Sequence, residues 1–313
     1  MPIIWVSVDV EPVVSEYFAK SHRGLLEALP QLLNLFHELK IPVDFFVLGQ
    51  VARDNPTIVK KIVSHGHEVG SHGYTHRLLC SRPLQFQRNT IRRAIRFVSD
   101  LTERPVRMFR APNFGADGNT IRVLEELGIP FDSSVLPGRS LRKRRLLRAY
   151  DHRGAPREPY SPSTRDIDIR GSSSVIELPL TENPFQLGTP LGLGYLNSHS
   201  VEDTLRAVGR SVSKYVSFLI HPWEAVDLVG SRRDLPSWLS RACGSDLEPL
   251  RMFLTRVGET NVFSTANSIG ASIRKGREVF HLLVRLAPHV ARRGYQGQRL
   301  NSSPKRLDQV GVK

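Results

Sequence analysis

The stretch VGSHGYTH, residues 69–76, places His72 and His76 four positions apart among small and polar residues. In a chain of 313 residues with 11 histidines, chance alone supplies on the order of 0.4 such pairs, so the spacing needs partners before it means a metal site. Two imidazoles and one carboxylate form an open site for a divalent ion such as zinc, with a position left for a water whose pKa the ion lowers toward neutrality. Hydrolysis then needs a base, an acid and a group that stabilises developing charge. The opening segment offers carboxylates. In VDVE the alternation of a strand sends Asp9 and Glu11 to the same side, so that one can bind metal while the other accepts the proton of the water. Arg110 can orient that base electrostatically. The second histidine cluster, HGH at His65 and His67, sits where a helix ends at Gly66 and a strand begins, and reads as a turn.

Groups so far apart in sequence are useful only if the fold gathers them. Ile3 to Val8 is short, β-branched and bounded by Asp9 and Pro12, a buried strand. GLLEALPQLLNLFHELK repeats Leu25, Leu29, Leu32, Leu33, Phe36 and Leu39 at helical spacing. PVDFFVLG is a second strand, DNPTIVKKIVSHG a short helix with Pro56 in its first turn and Gly66 as its stop, and HEVGSH a third strand. A long helix over 83–103 follows, then the strand VRMFRAP, a helix over 118–127 ended by Gly128, and the strand IPFDSSV. Residues 138–172 break this rhythm with a basic run and the Pro/Ser-rich GAPREPYSPSTRD, a long loop or insertion. Strands resume at SVIELPL, YVSFLIH and TNVFSTA, with a helix after Asn197. Strands alternating with helices predict parallel βαβ units, in which reactive residues collect at the carboxyl ends of the strands. Those ends carry Asp9 and Glu11, His72 and His76, Arg110, Asp132 and His221.

The formal net charge is +14, and it is concentrated. Residues 139–148, RSLRKRRLLR, contain no acid, and ten Lys or Arg within 274–313 face only Glu278 and Asp308. The domain expectation is therefore a catalytic domain over 1–273 and a basic extension over 274–313, where Val279, Leu283, Leu286 and Val290 share one face of a possible helix. Solvated surface is the plain reading of both blocks. The alternative is peripheral contact with an anionic membrane through 139–148 and 274–293. Neither block interleaves aromatics, so nucleic acid is not the expected partner. Cys80 and Cys243 have no ligand-like spacing, which excludes a zinc ribbon. The N-terminus lacks a basic n-region, an apolar h-region and a small-residue cleavage site, and no run of 18 apolar residues occurs, so the expected location is cytoplasmic.

SVDVEP, SHGYTH, FRAPNFG, FDSSV and FLIHPWE, spread over residues 7–224, resemble in kind and order the five motifs of the NodB-type polysaccharide deacetylases, carbohydrate esterase family 4. The resemblance implies an α/β fold, an incomplete (β/α)7-type barrel, that hydrolyses N-acetyl groups on sugars and in some members O-acetyl or N-formyl groups. Carried over, Asp9 resembles the catalytic base, Glu11, His72 and His76 the metal triad, Arg110 the tether of the base, and His221 the general acid. The implied ion is zinc, with cobalt or nickel as replacements. A backbone N–H near Asn113 or Phe114 would complete the oxyanion site. Trp223 lines the sugar pocket by stacking or belongs to the core. The first motif departs from the family's paired aspartates, and FDSSV lacks the usual Asp-Trp dipeptide that tunes the acid, a role left to Asp132 or to Glu224 and Asp227. The HPWE variant resembles a branch found with exopolysaccharide and surface-glycan synthesis, which implies an N-acetylated saccharide, lipid-linked in one reading. Two rivals follow: a deformylase of a lipid-linked formamido sugar, and a non-catalytic barrel that binds glycan or another acidic partner through its basic surface.

Overall fold

The structure is a computed structural model that describes residues 2–13, 21–143, 147–228, 230 and 235–275. In chain order its elements are β1 (Ile3–Val10), α1 (Leu29–Leu39), β2 (Val43–Val47), α2 (Gly49–Asp54), α3 (Pro56–Ser64), β3 (Glu68–Ser71), α4 (Leu84–Thr102), β4 (Met108–Phe109), α5 (Gly118–Glu126) and β5 (Phe131–Asp132). They continue with β6 (Ser140–Lys143), β7 (Leu147–Asp151), β8 (Ile176–Glu177), α6 (Leu193–Ser198), α7 (Val201–Gly209), β9 (Tyr215–Ile220), α8 (Ser237–Ala242), α9 (Glu248–Thr260) and β10 (Val262–Phe263).

A strand covered on both faces must be apolar nearly throughout, and β1 is buried from Ile4 to Val10. It is the axis of the sheet. One edge pairs with β2 from Val6↔Val43 to Val10↔Val47, and the other with β9 from Ile3↔Tyr215 to Val8↔Ile220. β10 joins beside Ile3 and Ile4, and the sheet runs on from β2 through β3, β4 and β5 to β8, every pair parallel. Between β8 and β9 the circuit is completed mainly by side chains. The Thr181 N–H donates to Ser217 Oγ (2.7 Å), and the Ser217 N–H donates to Thr181 Oγ1 (2.9 Å). Next to them a single bridge joins Gly192 to Leu219. A Cβ on Gly192 would lie 2.2 Å from the Leu219 carbonyl oxygen, so this approach admits only glycine. The result is the expected incomplete α/β barrel, with its core between the sheet and the outer helices.

Several elements differ from expectation. The helix predicted from Gly24 opens with a wide turn over Gly24–Ala28 before α1 begins. α2 was not anticipated, and the helix expected after Asn197 is two short helices, α6 and α7. β4, β5 and β8 keep two residues each of the longer runs predicted for them. The basic insertion is not all loop: it contains the antiparallel hairpin β6–β7. HGH is the predicted turn, and its His67 is buried against Phe36 and Phe45, where burial pushes the imidazole down to about 4.

Met1–Gly270 form one compact unit. The expected amphipathic helix near 279–290, residues 276–293 of the proposed membrane contact, and 144–146 of the basic run lie outside the described residues. No described helix is long and apolar enough to cross a membrane. Cys80 and Cys243 are not joined by a disulfide.

Candidate active site

The end of β1 supplies Asp9, with Glu11 just beyond it. Both are buried and face the same cavity, as strand alternation requires. The loop after β3 supplies His72 and His76. Glu11 Oε2 lies 2.6 Å from His76 Nε2 and 3.2 Å from His72 Nε2, and the three residues offer ligand atoms within 4.8 Å of one another. His72 Nδ1 is 2.9 Å from the Arg110 carbonyl oxygen, which can only accept, so Nδ1 carries the proton and Nε2 presents its lone pair to the carboxylate. Two lone-pair donors and a carboxylate converging on one point repel each other unless a cation or a proton lies between them. This donor set fits a divalent ion, and the carbonyl behind His72 is the outer support that metal-binding histidines use. His76 Nδ1 is 3.4 Å from the Asn113 side-chain amide. For His76 Nε2 to offer a lone pair, that amide must present its oxygen. Burial pushes the Glu11 carboxyl up, but with protons in place of the ion His76 and His72 outweigh it and hold the group well below the usual carboxylate range.

Arg110, at the end of β4, is buried and fully committed. Its Nη1 donates to Asp9 Oδ1 (2.6 Å) and to Ser7 Oγ (3.1 Å), its Nε to the Ser133 carbonyl (3.1 Å), and its Nη2 to Ser133 Oγ (3.0 Å). The guanidinium also sits 4.1 Å from the centre of the Phe46 ring. Asp9 is thereby held by one oxygen. The other, Oδ2, lies 3.9 Å from both His72 Nε2 and His221 Nε2.

His221 follows β9 and faces the same carboxylates, its Nε2 3.9 Å from Glu11 Oε1. Of the three acids considered as its partner, Glu224 is the one beside it: Oε2 accepts the His221 N–H (2.9 Å) and Oε1 lies 3.4 Å from Nδ1. Burial pulls the His221 imidazolium down, but Glu224, Glu11 and Asp9 together push it up to about 9. Asp227 instead accepts the Gly230 N–H. Asp132 is not brought to the cavity. It is buried in register with Glu177 on β8 and accepts from Ser134 Oγ (2.6 Å), so it cannot tune His221. Burial pushes Asp132 up to about 6, and burial with Asp132 as neighbour pushes Glu177 well above its ordinary value.

Asn113 and Phe114 form a tight turn after β4 with φ of 52° and 57°. Two successive side-chain-bearing residues in the left-handed region cost roughly 1–2 kcal/mol each. The Phe114 N–H is used inside the turn, donating to the Ala111 carbonyl (3.1 Å), whereas the Asn113 N–H has no acceptor among the described residues.

The cavity above these groups has a volume of about 490 Å³. Trp223 lines it, stacked on His221 at 5.1 Å, and also packs against the core. The glycines of GTPLGLGY at 192 and 194 are part of the wall. Gly24 lets the first helical turn seat against this loop, since a Cβ there would lie 2.5 Å from the Trp223 nitrogen. Sequence reasoning missed Arg139, Tyr195 and Arg241 in the wall. His199, stacked on Tyr195 at 4.1 Å, also lines it. None of these belongs to a spaced motif.

Residues 12–131 match the family profile described as polysaccharide deacetylase. Over 86 residues the chain is 37% identical to a chitooligosaccharide deacetylase of Sinorhizobium fredii, covering 26% of this chain and 39% of that protein, so it spans about two fifths of this curated relative's length. Among solved structures, a protein of Mycobacterium smegmatis described as a polysaccharide deacetylase superposes with a TM-score of 0.58 at 19% identity, over 88% of this chain and 92% of the other. A family 4 carbohydrate esterase pseudoenzyme of Bacillus anthracis superposes with a TM-score of 0.51 at 14% identity, over 86% and 65%. These two likenesses establish the shared incomplete barrel.

Proposed function

Because the chain belongs to the NodB-homology polysaccharide deacetylases of carbohydrate esterase family 4, we propose that it is a metal-dependent amide hydrolase that releases acetate from N-acetylated amino sugars of an oligo- or polysaccharide. The observation that carries this reading is the meeting of two sets of groups over one cavity: the Glu11, His72 and His76 donor atoms, and the flanking Asp9 Oδ2 and His221 Nε2. Fold alone would not suffice, since the same barrel serves a pseudoenzyme.

Glu11, His72 and His76 are the proposed ligands, and one carboxylate with two imidazoles suits zinc or cobalt. The ion would supply Lewis acidity, polarising the scissile carbonyl and lowering the pKa of a water toward neutrality. The protein's own groups do the rest. Asp9 takes the proton of the attacking water on Oδ2, while Arg110 fixes Oδ1 and so sets the direction of the free lone pairs. The Asn113 N–H, whose hydrogen-bonding capacity is unspent, donates to the oxygen that becomes negative in the tetrahedral state. His221 gives its Nε2 proton to the departing amine, and the Glu224 charge on the Nδ1 side favours the protonated ring beforehand. Trp223 offers a stacking face for a sugar ring.

The test begins without a substrate. Wild-type protein binds one zinc or cobalt ion per chain, and His72→Ala binds none; absence of an ion from both would overturn the metal-dependent reading. A screen of N-acetylated and N-formylated oligosaccharides then separates acetate release from formate release, the latter favouring the deformylase alternative.

A further inference from the structure

We propose that His152 and Tyr150, at the foot of the hairpin β6–β7, are positioning residues that hold the Asn113–Phe114 turn and thereby aim the Asn113 N–H at the reacting carbonyl. The inference rests on the deacetylase reading and adds to it a function for the insertion.

Both carbonyl oxygens of the turn are held from the hairpin. The Tyr150 hydroxyl donates to the Asn113 carbonyl (2.7 Å), and His152 Nε2 donates to the Phe114 carbonyl (2.9 Å). Each donor is itself supported. Arg139 Nε donates to the Tyr150 oxygen (3.0 Å), which leaves its O–H free to point at Asn113, and the same guanidinium lies 5.5 Å from the centre of the Phe114 ring. His152 Nδ1 donates to Asp168 Oδ1 at 2.6 Å. A carbonyl and a carboxylate are both acceptors, so both ring nitrogens donate, which describes an imidazolium with Asp168 as its counter-charge. Its ring is 0% exposed and stacks on Tyr150 at 4.5 Å and 22°.

A buried ion pair on a loop calls for a reason, and the turn it grips supplies one. Asn113 and Phe114 both occupy the left-handed region, a conformation that persists only where surrounding contacts over-determine it. The left-handed turn directs the Phe114 N–H back to Ala111 and leaves the Asn113 N–H without an acceptor. Catalytic electrostatics depend on such a donor being fixed before the charge develops, and small displacements at this point are costly. The two segments are far apart in sequence, and the ties between them run through His152, Tyr150 and Arg139, none of which contributes a metal ligand atom.

The experiment uses the full chain loaded with zinc. Tyr150→Phe removes a single oxygen. His152→Asn keeps a donor at the place of Nδ1 and removes the one at Nε2. For an N-acetylated oligosaccharide that the wild type turns over, His152→Asn lowers kcat by about 10- to 100-fold and Tyr150→Phe by a smaller factor, with KM and zinc stoichiometry unchanged. In parallel, hydrogen exchange of the amides at residues 113–115 speeds up in both variants, a readout that needs no activity. Wild-type kcat in both variants overturns the proposal, and so does loss of zinc alongside activity, which would make the hairpin a general support of the site. If the wild type releases neither acetate nor formate, the deacetylase reading fails by itself, and exchange at 113–115 still decides: unaltered exchange in both variants overturns the positioning role. Should His152→Asn not fold, Tyr150→Phe carries both measurements.

Discussion

Two pairs of buried carboxylates stand at strand ends of the same barrel, and their surroundings make them opposites. Asp9 and Glu11 are each given cationic or imidazole partners: Arg110 grips Asp9, while His72 and His76 flank Glu11. Asp132 and Glu177 are given each other across β5 and β8, with Asp132 Oδ2 and Glu177 Oε2 lacking any hydrogen-bond partner. Burial pushes Glu11, Asp132 and Glu177 up, and of these three only Glu11 has imidazole partners that outweigh it. The second pair keeps its protons to a higher pH than free carboxyls do. The two pairs differ in the charge of what faces them: a cation and imidazoles for the first, another acid for the second.

The contrast fixes the sign of the pH response. Glu11, held low, contributes stability that is present above the ordinary glutamate value of 4.5 and is lost as pH falls below it. Asp132, raised to about 6, and Glu177, raised further, contribute stability that is complete below 3.8 and 4.5 and is lost as pH rises through their folded values.

The largest expected effect breaks the first pair. Asp9→Asn keeps one ion per chain and lowers kcat by about 10³-fold, since a general base is worth roughly 10² to 10⁴; undiminished turnover on the same substrate removes Asp9 from the role. Next is its partner. Arg110→Lys keeps the charge but cannot span Asp9, Ser7 and Ser133 together, so kcat falls about 10- to 100-fold and stability drops on the order of 2–4 kcal/mol in denaturant melts. A variant as active and stable as wild type would show that charge alone suffices. The smallest effect sharpens the second pair. Glu177→Gln imitates the protonated acid, leaves kcat within about twofold, and flattens the decline in Tm between about pH 5 and pH 8. The wild type should lose up to ~1.4 kcal/mol per pH unit for each proton released. Parallel Tm–pH curves would mean that the pair is not protonated in the folded state.

Much of this was legible in the sequence, and the limits have physical causes. The helices predicted over 83–103 and 118–127 are α4 and α5 to within a residue or so, because their apolar spacing and Gly128 suffice to define them. Asp9, Glu11, His72, His76, Arg110 and His221 could be found because each follows a strand that reads clearly. The trimmed strands were less legible: next to Phe109 and Asp132 side chains of Arg110 and Ser134 also bond the backbone, beside the remaining backbone bonds. Asp132 misled because position at a strand end says nothing about which way the charge is compensated. His152 left no trace at all. It is a lone histidine whose partners, Asp168 and the Phe114 carbonyl, are 16 and 38 positions away. The hairpin that carries it is written in a basic run whose charges conceal the alternation.

The central place of β1 has a consequence for the order in which the protein is made. Its residues are made before those of the other strands of its sheet, yet one of its edges waits for Tyr215–Ile220. At about 5–20 residues per second, that delay is on the order of 10 to 40 seconds. Through this interval the nascent chain carries an apolar strand with an open edge, the kind of surface that holding chaperones occupy and that stalled chains use to aggregate. His221 emerges directly behind β9, so the step that covers the strand also delivers the acid. Glu11, His72 and His76 are all synthesised well before then, and an ion captured by them at that stage would meet a half-built cavity.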